Sequence, residues 1–145
     1  SVASELIEAR LFIEVGATEL AVSRATEEDI NLMNELVKQM AELVKKGDIE
    51  TYTEKNLAFH FLIAKAARNR FFPHLMATIR GFMEQWMLES VRVLPGLLQR
   101  SVNSHAAIFQ AIRERNTRKA VLSMKKHIVD LRTSFDQYYN VERKR

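Results

Sequence analysis

Apolar residues return every three or four positions along almost the whole chain, and the few breaks in that period carry capping or helix-stopping residues. Each segment therefore has one stripe to bury. The alternation of period two that a half-buried strand needs is missing, so the fold class expected is all-α, an antiparallel bundle of about six helices. With 145 residues and 47% hydrophobic content, the chain is long enough to enclose one core, and a single domain over residues 1–145 is expected.

The punctuation sets the elements. A first helix runs from Val2 to Ser23, with Leu6, Ile13, Ala17 and Leu20 on one stripe. Thr26 is an N-cap in front of Glu27, Glu28 and Asp29, whose charges suit a helix start, and the second helix continues to Lys46. Gly47 can take the left-handed stop and Asp48 can cap a third helix from Ile49 to Arg68, which Asn69 ends. Pro73 fits the first turn of a fourth helix, which carries Leu75, Ile79, Phe82, Trp86 and Val93 and breaks at Pro95-Gly96. A fifth helix spans Leu97 to Arg115. Asn116-Thr117 then stops one helix and caps the sixth, which reaches about Asn140 with Met124, Leu131 and Phe135 inward. Short connections predict that consecutive helices pack antiparallel.

Composition excludes several classes of function. The chain has no cysteine, so disulfides, thiolate nucleophiles and sulfur ligation of metals are out, and nitrogen and oxygen are the only metal donors left. No apolar run approaches the roughly 18 residues that cross a bilayer, and Ser1-Val2-Ala3-Ser4-Glu5 lacks the pattern of a signal peptide. A cytoplasmic protein with no membrane partner is expected. The chain begins without Met, which reads as a fragment trimmed from a longer protein. Its net charge of +4 is spread among eighteen acidic residues, and no aromatic residues interleave with a basic stripe, so this segment is not expected to touch DNA itself.

Three of the four histidines stand where apolar residues belong. His60, on the third helix, follows Asn56 by one turn and shares a face with Phe59, Ile63 and Ala67, so the Asn56 and His60 Cβ atoms should lie roughly 6 Å apart. His105 lies among Val102, Ile108 and Phe109 on the fifth helix, and His127 lies between Met124 and Leu131 on the sixth. Taken singly, each is read as a neutral core histidine donating to a backbone carbonyl. Taken together, three imidazoles need separate acceptors in an apolar core, whereas one divalent cation takes a lone pair from each. Residue spacing leaves both readings open. His74, beside Pro73 at a helix start, is expected to be exposed and uninvolved.

Arg10 is a second anomaly, since it falls between Leu6 and Ile13 on the inward stripe of the first helix. A guanidinium keeps its charge and must meet an anion there. Glu14, one turn later, is the local partner; the carboxylate of a small ligand, gripped bidentately, is the functional one. Arg80, near Met76, Met83 and Met87, either lines the same pocket or lies on the surface.

Several runs together resemble a known family. These are Glu8-Ala9-Arg10, Ala21 through Thr26, Asn56-Leu57-Ala58-Phe59-His60 with Ala66-Ala67-Arg68-Asn69, Ser104-His105-Ala106-Ala107-Ile108 with Ala111-Ile112, and Ala120 through His127. In order and spacing they resemble the FCD effector domain of the FadR subfamily of GntR bacterial transcriptional regulators. The resemblance implies a helical bundle that binds a divalent metal, with zinc, nickel or manganese expected, and a small carboxylate effector. It also implies a homodimer and an N-terminal winged helix-turn-helix, absent from this chain, through which DNA is bound. By position, the metal ligands would be Asn56, His60, His105 and His127, and Arg10 would match the arginine that holds the effector's carboxylate; Arg80 is a ligand-binding candidate from its own place on the fourth helix and not from the resemblance. The family more often has Asp at the position of Asn56. An amide oxygen is a weaker, neutral donor, and the swap leaves the site more positive.

The reading is a metabolite sensor without catalysis. A metal-dependent hydrolase or oxygenase on a helical bundle is the alternative, since three histidines with open positions can activate water. Against it, the inward stripes offer no well-placed carboxylate base, and the Glu-x-x-His pairs of di-iron bundles are missing. A metal-free interaction module with structural histidines is the third possibility.

Overall fold

The structure, a computed structural model, describes residues 1–94 and 96–145, with Val141 and Glu142 described in backbone only. Its elements are α1 (Val2–Arg24), α2 (Glu27–Lys46), α3 (Ile49–Ala66), α4 (Phe71–Val93), α5 (Leu97–Arg113) and α6 (Thr117–Arg143). The described residues form six helices and no strand, as the periodicity predicts.

Local chemistry accounts for most boundaries. The Thr26 hydroxyl accepts from the Asp29 amide and the Asp29 carboxylate accepts from the Thr26 amide, a reciprocal box that starts α2. Gly47 ends α2 in the left-handed conformation (φ 71°), and Asp48 caps α3 by accepting from the Thr51 amide. Asn116 caps α6 through the Lys119 amide. Gly96 opens α5 with φ 72°, while its neighbour Pro95, expected to help break α4, lies outside the described residues.

Two stops differ from expectation. The residue that turns left-handed after α3 is Arg68 (φ 53°), not Asn69, and after α5 it is Arg115 (φ 57°), not Asn116. A side chain at positive φ costs roughly 1–2 kcal/mol, and both arginines have partners that offset it. Arg68 meets the Asp29 carboxylate at 2.6 Å, and Arg115 donates to the Val22 carbonyl at 3.0 Å. Arg24 donates in turn to the Ala67 carbonyl, so the turn between α1 and α2 is tied to the ends of α3 and α5.

The packing is not a simple chain of antiparallel neighbours. α1 and α2 are consecutive yet pack little on each other; α2 lies against α3 and α5, and α1 against α6, α3 and α4. The inward stripe of α1 is Ala3, Leu6, Ile7, Arg10, Glu14, Ala17, Thr18, Ala21 and Val22, with Ile13 and Leu20 only partly covered. On α4 the stripe is Met76, Met83, Met87 and Ser90, whereas Leu75 and Phe82 are 47% and 52% exposed. The flexible methionines fill a small second core between α1, α3 and α4 with Leu6, Leu57 and Ala64. Met124 and Phe135 of α6 are buried in the main core, and Leu131 packs against it.

Candidate metal centre

Because α1 packs against α3, α5 and α6, polar residues on its inward stripe face polar residues on theirs. Asn56 and His60, one turn apart, project from α3, His105 from α5 and His127 from α6. His60 and His105 are 1% and 0% exposed, Asn56 is 7% exposed, and His127 is partly covered. One donor nitrogen from each of the three imidazoles falls within 4.8 Å of the others. The Nε2 atoms of His60 and His105 are 3.3 Å apart, and the His60 and His127 rings stack with centroids 5.3 Å apart.

Two buried polar atoms here have no hydrogen-bond partner, Asn56 Oδ1 and His105 Nδ1. An unsatisfied buried acceptor costs about 1–3 kcal/mol. Asn56 Oδ1, one turn from His60 and aligned with the same cavity as His127, is an oxygen that a cation would satisfy. Three imidazole nitrogens and one amide oxygen form a donor set suited to a divalent transition ion.

Electrostatics keep two of the rings ready to donate lone pairs. Burial pulls His127 down to about 3, assisted by the nearby His60 ring and the Arg10 charge and opposed by Glu14. Burial likewise holds His105 well below the usual imidazole range, with His127, His60 and Arg10 adding to the effect. Both are neutral at physiological pH, the form that binds metals.

Beside this cluster lies a carboxylate that the sequence pairs with Arg10 alone. Glu14 is buried on α1 and accepts with both oxygens: Oε2 takes the Arg10 Nε hydrogen at 2.6 Å, and Oε1 takes the hydrogen on His60 Nδ1 in a short contact. Burial alone would push its carboxyl up, but the Arg10 charge, the facing His60 ring and the hydrogen bonds from both outweigh that and hold it well below the usual carboxylate range. The expected local pair Arg10–Glu14 is therefore present, and the same carboxylate also reaches His60. With both oxygens engaged, Glu14 is not placed as a general base. The signal for it was available: Arg10, Glu14 and Ala17 continue one helical stripe, so Glu14 had to be as buried as Arg10.

A cavity of about 30 Å³ adjoins the cluster, lined by Arg10, Asn56, Ser90, Ser101, His127 and Asp130 among others. That is room for about one water molecule. Ser101 accepts from the Tyr52 hydroxyl at 2.9 Å; burial pushes Tyr52 up to about 12, only partly countered by this bond, so the phenol stays a donor. Asp130 is paired with Arg100 at 3.1 Å, and Arg100 also donates to Ser134, so this arginine of α5 crosses to α6 at the cavity's edge. Ser90, Ser101 and Asp130 were not singled out from sequence, although Asp130 follows His127 by three residues and so shares its face.

Arg80 is not brought to this cavity. Its guanidinium lies 4.9 Å over the Phe61 ring, exposed on the outer side of α3 and α4. A long side chain at the edge of a stripe can cover apolar surface with its stem while its charge stays in water. His74 is exposed, as expected.

Residues 5–130 match the FCD domain. The chain is 24% identical over 139 residues to the HTH-type transcriptional regulator LutR of Bacillus subtilis (strain 168), an alignment covering 93% of this chain and 63% of that protein. Among solved structures, Streptococcus agalactiae GntR is similar with a TM-score of 0.76 and 29% identity, over 90% of this chain and 58% of that one. E. coli McbR/YncC shares the fold at a TM-score of 0.81 and 17% identity, over 94% of this chain and 69% of that one. The chain thus spans less than two thirds of the length of LutR and of the streptococcal GntR. With a match that covers Arg10, Glu14 and all three clustered histidines, the chain belongs to the FCD domain family.

Proposed function

We propose that this chain is the effector-sensing domain of a GntR-family transcriptional regulator of the FadR subfamily, and that it performs no catalysis. It holds a divalent metal, of which zinc, nickel and manganese suit the donors, through Asn56, His60, His105 and His127, and it takes a small carboxylate metabolite with Arg10. DNA is contacted through an N-terminal winged helix-turn-helix outside this sequence, by a homodimer in the cytoplasm. The observation that carries the reading is the convergence of three histidine donor atoms within 4.8 Å beside a buried amide oxygen that lacks a partner.

Four neutral donors leave the full charge of a bound dication uncancelled, which, next to Arg10, favours an anionic ligand. The cavity of about 30 Å³ is too small for a metabolite, so entry requires parting α6 from α4 and α5. That requirement is the physical basis for sensing. A ligand that binds the parted arrangement better shifts the bundle toward it, and a differential of about 1–3 kcal/mol passed to a DNA-binding domain changes operator occupancy five- to 150-fold.

Elemental analysis of the purified protein after metal supplementation tests the metal. The expected content is near one divalent ion per chain, falling sharply in His105→Ala and His127→Ala. A metal-free wild type, or unchanged content in both variants, refutes the site. Mobility-shift assays of the full-length regulator with and without small carboxylates test the sensing.

A further inference from the structure

Glu14 does two jobs with one carboxylate, and each oxygen can serve only the partner it faces. Its Oε1 accepts from His60 Nδ1 and its Oε2 accepts from Arg10 Nε. Glu14 faces a partner with each oxygen, Arg10 Nε–H and His60 Nδ1, and a carboxylate bridging two such groups accepts from both, which places the hydrogen between Glu14 and His60 on Nδ1. With Nδ1 engaged by Glu14, His60 has Nε2 left for a metal, the nitrogen that faces His105 at 3.3 Å. The Arg10 contact uses only the Nε hydrogen. Its terminal amino groups remain for the cavity that Arg10 lines together with Asn56 and His127.

We propose that Glu14 is a positioning residue that fixes the His60 tautomer for metal ligation and orients Arg10 for the anion, so that the two bound species assist one another through a shared carboxylate. The inference rests on the metal and carboxylate reading given above and adds the link between the two sites. Its chemistry is simple. An anion on the outer edge of Arg10 draws that guanidinium's charge away from Glu14, leaving the carboxylate a better acceptor for His60 Nδ1, and a more strongly held Nδ1 hydrogen makes Nε2 a better donor to the metal. By thermodynamic reciprocity, metal on His60 strengthens anion binding at Arg10 by the same factor.

Glutamine is the discriminating replacement. An amide has one accepting and one donating end, so it cannot serve two donors. If its oxygen stays with Arg10, its NH2 faces His60 and drives the hydrogen from Nδ1 to Nε2, which removes the metal's lone pair. If its oxygen stays with His60, its NH2 opposes Arg10 Nε and turns the guanidinium away. Either choice breaks the link.

The test uses three proteins, wild type, Glu14→Gln and Arg10→Met, and nickel with acetate as probes. Histidine ¹⁵N NMR of the metal-free protein reads the tautomer, and competition with a chelator reads nickel affinity with and without acetate. In the wild type, His60 is expected as the Nδ1–H tautomer, and acetate is expected to tighten nickel binding. Glu14→Gln is expected to lose about 10–100-fold in nickel affinity, the range for such outer partners, together with the Nδ1–H signature or the acetate effect. Arg10→Met is expected to keep the Nδ1–H tautomer and to bind nickel with an affinity that no longer responds to acetate, and it answers the question if Glu14→Gln does not fold. Wild-type nickel affinity with an intact acetate effect in Glu14→Gln, or an intact acetate effect in Arg10→Met, overturns the proposal while leaving the metal site standing. A wild type that takes up no nickel overturns both.

Discussion

Replacing Asn56 by aspartate should push the stability of the metal-free protein and the affinity for metal in opposite directions. Asn56 is 93% buried, its Oδ1 has no hydrogen-bond partner, and it lies one turn from His60 on the face turned to the cavity. Without metal, Asn56→Asp buries a second carboxylate beside Glu14, and the one arginine that lines the cavity, Arg10, already gives its Nε hydrogen to Glu14. The unsatisfied group should cost about 1–3 kcal/mol of unfolding free energy. With metal, the added negative charge interacts with the cation. Two unit charges about 4 Å apart gain about 4 kcal/mol at an effective dielectric constant near 20. Desolvating the carboxylate takes back several kcal/mol, and a net gain of about 1–3 kcal/mol corresponds to five- to 150-fold tighter binding. Urea denaturation in a chelator and chelator competition for nickel measure the two quantities on the same preparations. The reasoning fails if Asn56→Asp leaves metal affinity unchanged, because Asn56 would then stand outside the coordination shell; it fails equally if the metal-free variant is more stable than wild type.

Further substitutions probe the scaffold. Asp29→Asn keeps an oxygen that can accept from the Thr26 amide but removes the charge that meets Arg68 and suits the start of α2, and should cost about 1 kcal/mol, measured by urea melts. Burial raises the Asp29 carboxyl, but hydrogen bonds from the Thr26 amide and Arg68, with the Thr26 hydroxyl and the charge of Arg68, lower it more, so its folded value lies below the ordinary 3.8. Its stabilising contribution is therefore full above that ordinary value and is lost as pH falls through the lowered one; Asp29→Asn should flatten that part of the acid unfolding curve, and an unchanged curve contradicts the assignment. Arg68→Gly and Arg68→Ala both lose the Asp29 pair, but only glycine relieves the positive φ, so the glycine variant should be the more stable by about 1 kcal/mol. On α4, Met83→Ala should cost about 2–5 kcal/mol, whereas Phe82→Ala, at an exposed neighbour, should stay within about 0.5 kcal/mol; comparable thermal shifts for the two would show that the helix faces are assigned wrongly.

Periodicity and capping chemistry made the helices and most of their ends legible, because both are local: the Thr26–Asp29 box and the left-handed Gly47 need only neighbouring residues. The Arg68 and Arg115 stops were not legible, because each left-handed arginine is made tolerable by partners on another helix. The stripe of α4 was misplaced for a related reason. Leu75 and Phe82 are more apolar than Met76 and Met83, yet the space left by α1 and α3 admits the methionines.

The sequence by itself determined that three imidazoles and an amide sit on apolar faces of three helices, and that Arg10 needs an anion, since burial of polar groups is dictated by helical period. Only the tertiary structure decided that the three imidazoles converge within 4.8 Å, that Asn56 and Arg10 line a cavity with His127, that Arg80 does not join them, and that Glu14 satisfies Arg10 and His60 together. Meeting depends on how far each helix is rotated and shifted against its neighbours, which the packing of all six fixes and no single helix encodes.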